Sequence, residues 1–278
     1  MIRTSRQLKA LVRNRSKGDN AKALMLIRNY IMERFLERLS LSPYRHNLIL
    51  KGGALVASMV GLDNRSTMDV DATVKGLPLS EETAARITTE IAAIRIDDGV
   101  TFEMKSVAFI MDEADYPGVR VMLDATLERM RTPLKIDLST GDAITPGEVS
   151  YTLKLSFEDR SISILTYNLE TVLAEKIETI LIRGTANTRM RDFYDVFILE
   201  STQPHDIDVL RAAFVNTCDK RGSLTTIGDM ALIMDEVESS SDLTVLWKNY
   251  QLKFDYAAIV SWEDVMRAVK KLCRTIQP

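Results

Sequence analysis

The chain has 278 residues, of which 46% are hydrophobic and 27% charged, the make-up of an ordinary soluble globular protein with room for one or two domains. It has no run of about 18 uncharged apolar residues and no cleavable apolar leader at Met1, so membrane spans and secretion are disfavoured and a cytoplasmic location is expected. Cys218 and Cys273 stand far apart without a CxxC pair, which leaves no basis for a disulfide framework or a structural zinc site. GxSxG, HExxH, GxxxxGKS and GxGxxG are all missing, and His46 and His205 are the two histidines. Chemistry here must run mainly on carboxylates, lysine and arginine.

The formal charge of −3 is unevenly spread. Through Lys22 the basic residues Arg3, Arg6, Lys9, Arg13, Arg15, Lys17 and Lys22 face one acid, Asp19, leaving 29 basic and 38 acidic residues, a balance of −9, in the remainder. This basic arm is either a phosphate-binding surface or a solvated helix face. Apolar residues then recur at helical spacing over 20–40 (Leu24, Ile27, Ile31, Phe35, Leu39), predicting a long amphipathic helix. A short strand over 47–51 ends in Gly52-Gly53, and a helix over 54–60 stops at Gly61. Residues 67–75 alternate strictly, with Met68, Val70, Ala72 and Val74 apolar, as in a half-buried strand.

A helix is predicted over 80–94, with Ser80 as its N-cap and Glu81 and Glu82 in the first turn. Strand patterns follow at 101–111, 118–127, 134–139 and 149–157. Helical patterns resume at Asn168 and include 191–200 and 262–276, the last with a weaker basic cluster of Arg267, Lys270, Lys271 and Arg274. The fold class expected is α+β: a mixed sheet flanked by helices over 1–165, then an all-helical domain over 166–278.

Asp69 and Asp71, at i and i+2 on a strand, project from one face. Paired carboxylates of this kind can hold the divalent ions of phosphoryl-transfer chemistry. Gly52-Gly53, on the strand-to-helix turn just before them, offers side-chain-free backbone and a helix N-terminus to a triphosphate, or is simply a tight turn. Asp137 lies in the alternating run Leu134–Ser139 and is either a third ligand or a solvent-facing residue. Lys176 falls within the apolar stripe of Leu169, Val172, Leu173, Ile177 and Ile180. Either its stem snorkels to an edge, or its ammonium faces a cleft and meets an anion such as nucleotide phosphate. Arg189 and Asp192 border the buried face of the next helix, where they serve the same cleft or form an i, i+3 ion pair.

These segments together carry a resemblance. Glu33–Ser40, Leu50-Lys51-Gly52-Gly53, Arg65–Asp71, Ile136–Ser139 with Gly141-Asp142, Ala174-Glu175-Lys176 and Arg191–Asp195 resemble the AbiEii toxin family, minimal nucleotidyltransferases of the DNA polymerase β superfamily, to which MenT toxins are related. The resemblance spans roughly 20–199. It implies a nucleotidyltransferase fold, a helical domain completing the active-site cleft, nucleotide transfer dependent on magnesium (or manganese), and a separately encoded antitoxin. It further implies metal ligation by Asp69, Asp71 and Asp137, nucleotide contacts from Lys51, Gly52, Gly53, Thr67, Lys176 and Arg189, and catalytic roles for Asp69, Asp71, Lys176 and Asp192. One departure is clear: Gly52-Gly53 stands where the superfamily has Gly-Ser, so no serine hydroxyl there contacts phosphate. The expected reaction moves a nucleoside monophosphate from a nucleoside triphosphate to an acceptor, by family analogy the tRNA 3′ end. The rivals are transfer to a small molecule or protein side chain, and a non-catalytic nucleotide-binding regulator.

Overall fold

The computed structural model describes residues 1–111 and 117–277. In chain order the elements are α1 (Ser5–Ser16), α2 (Asn20–Leu41), β1 (Leu48–Lys51), α3 (Gly52–Val60), β2 (Asp69–Val74), α4 (Glu81–Ala92), β3 (Val100–Met111), β4 (Pro117–Leu127), β5 (Met130–Thr140), β6 (Val149–Lys154) and β7 (Ser161–Thr166), followed by the helices α5 (Leu169–Arg183), α6 (Met190–Thr202), α7 (Ile207–Arg221), α8 (Met230–Ser239), α9 (Ser241–Lys253) and α10 (Trp262–Ile276). They group into two compact units, one of residues 1–58, 66–141 and 149–166, the other of 59–65, 142–148 and 167 onward.

The first unit is built on a mixed seven-stranded sheet of order β3-β4-β5-β2-β1-β7-β6. β2 runs parallel to β5 and antiparallel to β1, so the acidic strand sits near the middle. Period-two alternation gives each central strand one apolar face. Val70, Ala72 and Val74 of β2, Ile136 and Leu138 of β5, and Val119, Val121 and Leu123 of β4 are all buried, each of the valine, isoleucine and leucine side chains contributing about 1.5–3 kcal/mol. The alternate residues, Asp69 and Asp71, Lys135 and Asp137, and Arg120, occupy the other face. α4 starts where the sequence places it, with the Ser80 hydroxyl accepting from Thr83 N at 3.1 Å. β7 was not legible in the sequence, and residues 149–157 hold a shorter strand than expected.

α2 departs from the expected amphipathic pattern. Ile31, Phe35 and Leu39 are buried, but Leu24 is exposed, and in the second half of the helix Glu33, Arg34, Glu37 and Arg38 are buried as well. Ion pairs, and for Glu33 hydrogen bonds from Ser156 and Asn29, make this possible, because a buried charge needs a partner. Arg38 forks onto both oxygens of Asp98 at 2.7 and 3.0 Å and donates to Val100 O, while Arg34 lies 2.8 Å from Glu37. The charged half of the run Glu33–Ser40 thus belongs to the core.

The basic arm is largely α1. Thr4 caps it in a capping box with Gln7, and Leu8 and Val12 are buried. Arg3 pairs with Asp97, and Arg15 donates to Ser156 O at 3.2 Å with its guanidinium over the Phe157 ring. Arg6, Lys9 and Arg13 remain exposed.

The second unit is helical. α6 is held by an aromatic cluster: Phe193 meets Trp262 of α10 at 5.2 Å between ring centroids, and Tyr194 meets Tyr256 at 4.8 Å. Residues beyond Leu199, for which the sequence indicated only helical character, supply this wall. The α10 cluster is not a free basic surface. Lys270 pairs with Asp235 and Glu238, Lys271 with Glu200, and Arg267 with Asp264. Cys218 and Cys273 are buried free thiols, and among the described residues no helix is long and apolar enough to cross a membrane.

Candidate active site

On the sheet, register turns four separate strands into one charged row. Arg120 of β4 stands opposite Asp137 of β5, Asp137 opposite Asp71 of β2, and Asp71 opposite Lys51 of β1. Asp69 stands opposite Lys135 in the next row. The cations are engaged. Arg120 donates to both oxygens of Asp137 at 2.8 Å each, and Lys135 Nζ lies 2.7 Å from Asp69 Oδ2 and 3.6 Å from Asp137 Oδ2.

Asp71 sits against the glycine turn. Gly52 has φ +64°, and a Cβ there would meet the Cβ and Cγ of Asp71 at 2.9 Å and its Oδ2 more closely still. The Gly53 N–H, in the first turn of α3, donates to Asp71 Oδ2 at 3.3 Å. The space left by the absent side chain is therefore filled by the protein's own carboxylate. Burial pushes the Asp71 carboxyl above the ordinary range, Asp137 and Asp69 add to the rise, and Lys51 and the Gly53 N–H oppose it. Thr67 is buried, with its hydroxyl 3.5 Å from Asp69 O.

Among the described residues no group of three His, Cys, Asp or Glu is arranged to hold a metal ion. Asp69 and Asp71 nevertheless suit a hard divalent cation: they are oxygen donors on one strand face, and Asp71 carries an electrostatic strain that a cation would relieve. Asp137 suits it less, since Arg120 takes both its oxygens.

The second unit holds a separate constellation. Lys176 of α5 places Nζ 2.8 Å from Asp192 Oδ1 and 2.7 Å from Asp195 Oδ2, both on α6. Arg65 forks onto Asp195, with Nε to Oδ1 at 2.6 Å and Nη2 to Oδ2 at 3.1 Å. Arg189 Nε lies 2.9 Å from Asp192 Oδ2, an oxygen that makes no hydrogen bond among the described residues. Lys176 therefore does not snorkel. Burial alone would lower its pKa, but the two aspartates outweigh it and raise it. Burial likewise pushes the Asp195 carboxyl up, and Arg65 and Lys176 overcome this and hold it at about 2.

Asp69, Asp71, Asp137, Lys51, Gly52, Gly53 and Thr67 thus belong to the first unit, and Lys176, Arg189 and Asp192 to the second. Four residues of these networks were given no role from the sequence. Lys135 had a signal, since it precedes Asp137 by two on an alternating strand, and so did Asp195, one turn beyond Asp192. Arg120 had none, because its partner lies 17 residues away, and Arg65, although it opens the Arg65–Asp71 segment, gave no sign of its pairing with Asp195, 130 residues away.

A model of the family described as nucleotidyl transferase AbiEii toxin, type IV TA system, matches residues 34–268. A crystal structure of a candidate nucleotidyltransferase from H. pylori superimposes with a TM-score of 0.53 at 17% identity, covering 91% of this chain and 94% of the other. JHP933 from Helicobacter pylori gives a TM-score of 0.53 at 17% identity, with 91% of each chain covered. At that identity the likeness concerns the fold. No curated protein matches.

Proposed function

From the premise that this chain belongs to the AbiEii family of nucleotidyltransferase toxins, we propose that it transfers a nucleoside monophosphate from a nucleoside triphosphate to a hydroxyl of an RNA acceptor, most simply the 3′ end of a tRNA, with pyrophosphate leaving. The observation that carries this reading is the Asp71 carboxylate, set against the Gly52-Gly53 turn at the start of α3 and beside Asp69 on one face of β2. Asp69 and Asp71 would hold magnesium or manganese, with Asp137 a weaker candidate. Mg²⁺ is commonly held by one or two carboxylates together with substrate phosphates and water, and when bound it offsets the charge of the reacting phosphates.

The chain's own residues supply the rest. Lys51, the Gly52-Gly53 backbone, Thr67 and Arg189 contribute to nucleotide binding, Lys176 contacts phosphate, and Asp192 is the catalytic acid of the last motif. The exposed basic face of α1 supports a polyanionic acceptor. Membership of a type IV toxin–antitoxin family implies a separately encoded antitoxin as partner, and such a pair acts in the cytoplasm.

The test is incubation of the purified protein with each labelled triphosphate, magnesium and total RNA, followed by sequencing of RNA ends. Label on RNA 3′ ends, lost in Asp69→Ala and Asp71→Ala, supports the proposal. Label on protein or small molecules instead moves the acceptor to another class, and no label with any acceptor overturns transfer.

A further inference from the structure

A lysine ammonium has three N–H donors and no acceptor. At Lys176 two of them are committed, to Asp192 Oδ1 and Asp195 Oδ2, and the side chain is 12% exposed. The ammonium is enclosed by carboxylates yet, among the described residues, retains a third donor. Its two partners differ. Asp195 is completely buried and receives the Arg65 guanidinium on both oxygens, whereas Asp192 leaves Oδ2 without a hydrogen bond among the described residues and faces the half-exposed Arg189. The alternating chain Arg65, Asp195, Lys176, Asp192, Arg189 therefore has one anchored end and one open end.

This asymmetry has a physical use. Lysine is a point charge on a flexible four-carbon stem, and a flexible charge must be ordered before it can bind an anion. A bidentate arginine fixes a carboxylate in orientation as well as position. A carboxylate fixed in this way transmits that order to the ammonium it touches.

We propose that Asp195, clamped by Arg65, is a positioning residue that holds the Lys176 ammonium in place so that its third N–H meets an anionic oxygen of the triphosphate. The inference rests on the reading of Lys176 as a phosphate contact. Asp195 and Arg65 act through Lys176. Asp192 shares the ammonium from the open side and is the partner that yields as the anion arrives, because Arg189 can keep hold of it. The charged groups around Lys176 are Asp192 and Asp195 from α6, with Arg65 behind them. Tyr194, Tyr250 and Tyr256 adjoin Asp195 and Arg65, and Glu175 and Glu178 on α5 are taken by Arg221 of α7.

The experiment measures binding of inorganic tripolyphosphate with magnesium to the full chain between pH 7.5 and 10.5, in the wild type and in Asp195→Asn, Arg65→Lys and Lys176→Met. Tripolyphosphate removes any dependence on the base. In Asp195→Asn the affinity should fall about tenfold, as removal of an outer partner commonly does, and its alkaline decline should begin at lower pH, because Lys176 no longer has one of the carboxylates that keep it protonated. If Lys176 does not contact the bound phosphate, that limb stays unmoved. If Asp195→Asn does not fold, Arg65→Lys decides: it keeps the charge but lacks the fork, and should bind more weakly. Wild-type affinity and alkaline limb in folded Asp195→Asn, or wild-type affinity in Arg65→Lys where only that variant folds, overturn the positioning role, provided Lys176→Met no longer binds. Wild-type binding by Lys176→Met overturns the phosphate contact itself and the inference with it.

Discussion

Gly52 and Asp71 are in van der Waals contact across the β1–α3 turn, with room between them for a hydrogen and not for a methyl group. Gly52→Ala should therefore carry two penalties. The left-handed backbone costs roughly 1–2 kcal/mol for an L-residue, and displacement of the Asp71 carboxylate adds to it. Urea unfolding of Gly52→Ala, Asp71→Ala and the double variant separates the two. With Asp71 trimmed, the cost of alanine at position 52 should shrink to the backbone part, whereas strictly additive costs would show that the Gly52–Asp71 packing carries no energy.

The ionised carboxylate of Asp71 is held at the expense of stability. Its folded pKa is raised by burial first and then by Asp137 and Asp69, so the cost of ionising it appears as pH rises through the folded value and is absent below the ordinary carboxylate range. Asp71→Asn retains an oxygen for the Gly53 N–H. In EDTA at pH 7.5 it should raise Tm by about 2–4 °C, the shift that ~1 kcal/mol produces in a chain of this size, and the gain should vanish near pH 4. A lower Tm at pH 7.5 would mean that Asp71 is not strained.

Much of this was legible in the sequence because the informative residues are local. The alternation of 67–75 places Asp69 and Asp71 on one face of β2, and a run of caps and apolar stripes places α4 and α10 within a residue or two. Residue pairs distant in the chain were hidden. Nothing near Asp137 announces Arg120, since their pairing depends on the β4–β5 register. Nothing near Lys176 announces Arg65, which reaches it only through Asp195. The same limit explains the misreading of α2, where Asp98, 60 residues from Arg38 in the chain, lets a charged helix face enter the core.

The Arg65–Asp195 pair should leave a signature in acid. Asp195 is held at about 2, below its unfolded value of about 3.9, so its contribution to stability is fully present above pH 4 and is lost as pH falls toward 2. Asp195→Asn removes one partner of a buried ion pair and should cost ~3–5 kcal/mol at pH 7. Urea midpoints of wild type and variant should converge as pH falls from about 4 to about 2. A gap that stays constant across that range would mean the pair does not couple to protons.

The structure narrows the test of the basic arm. Arg3 and Arg15 are engaged with Asp97, Ser156 and Phe157 of the same unit, so removing them loosens α1 and says nothing clear about RNA. Arg6, Lys9 and Arg13 fall on the helix face opposite buried Leu8 and Val12 and can be replaced by glutamine without disturbing that packing. If they hold acceptor phosphates, the triple variant should bind RNA more weakly, and the slope of log affinity against log salt should flatten by about 2, since each phosphate neutralised on a single strand accounts for roughly 0.7 of that slope. Tripolyphosphate binding and Tm should stay at wild-type values, because neither the acidic strand nor the Lys176 cluster includes a residue of α1. A salt slope and RNA affinity equal to wild type would reduce α1 to a solvated helix, and the RNA acceptor would then need support from the products of the transfer reaction alone.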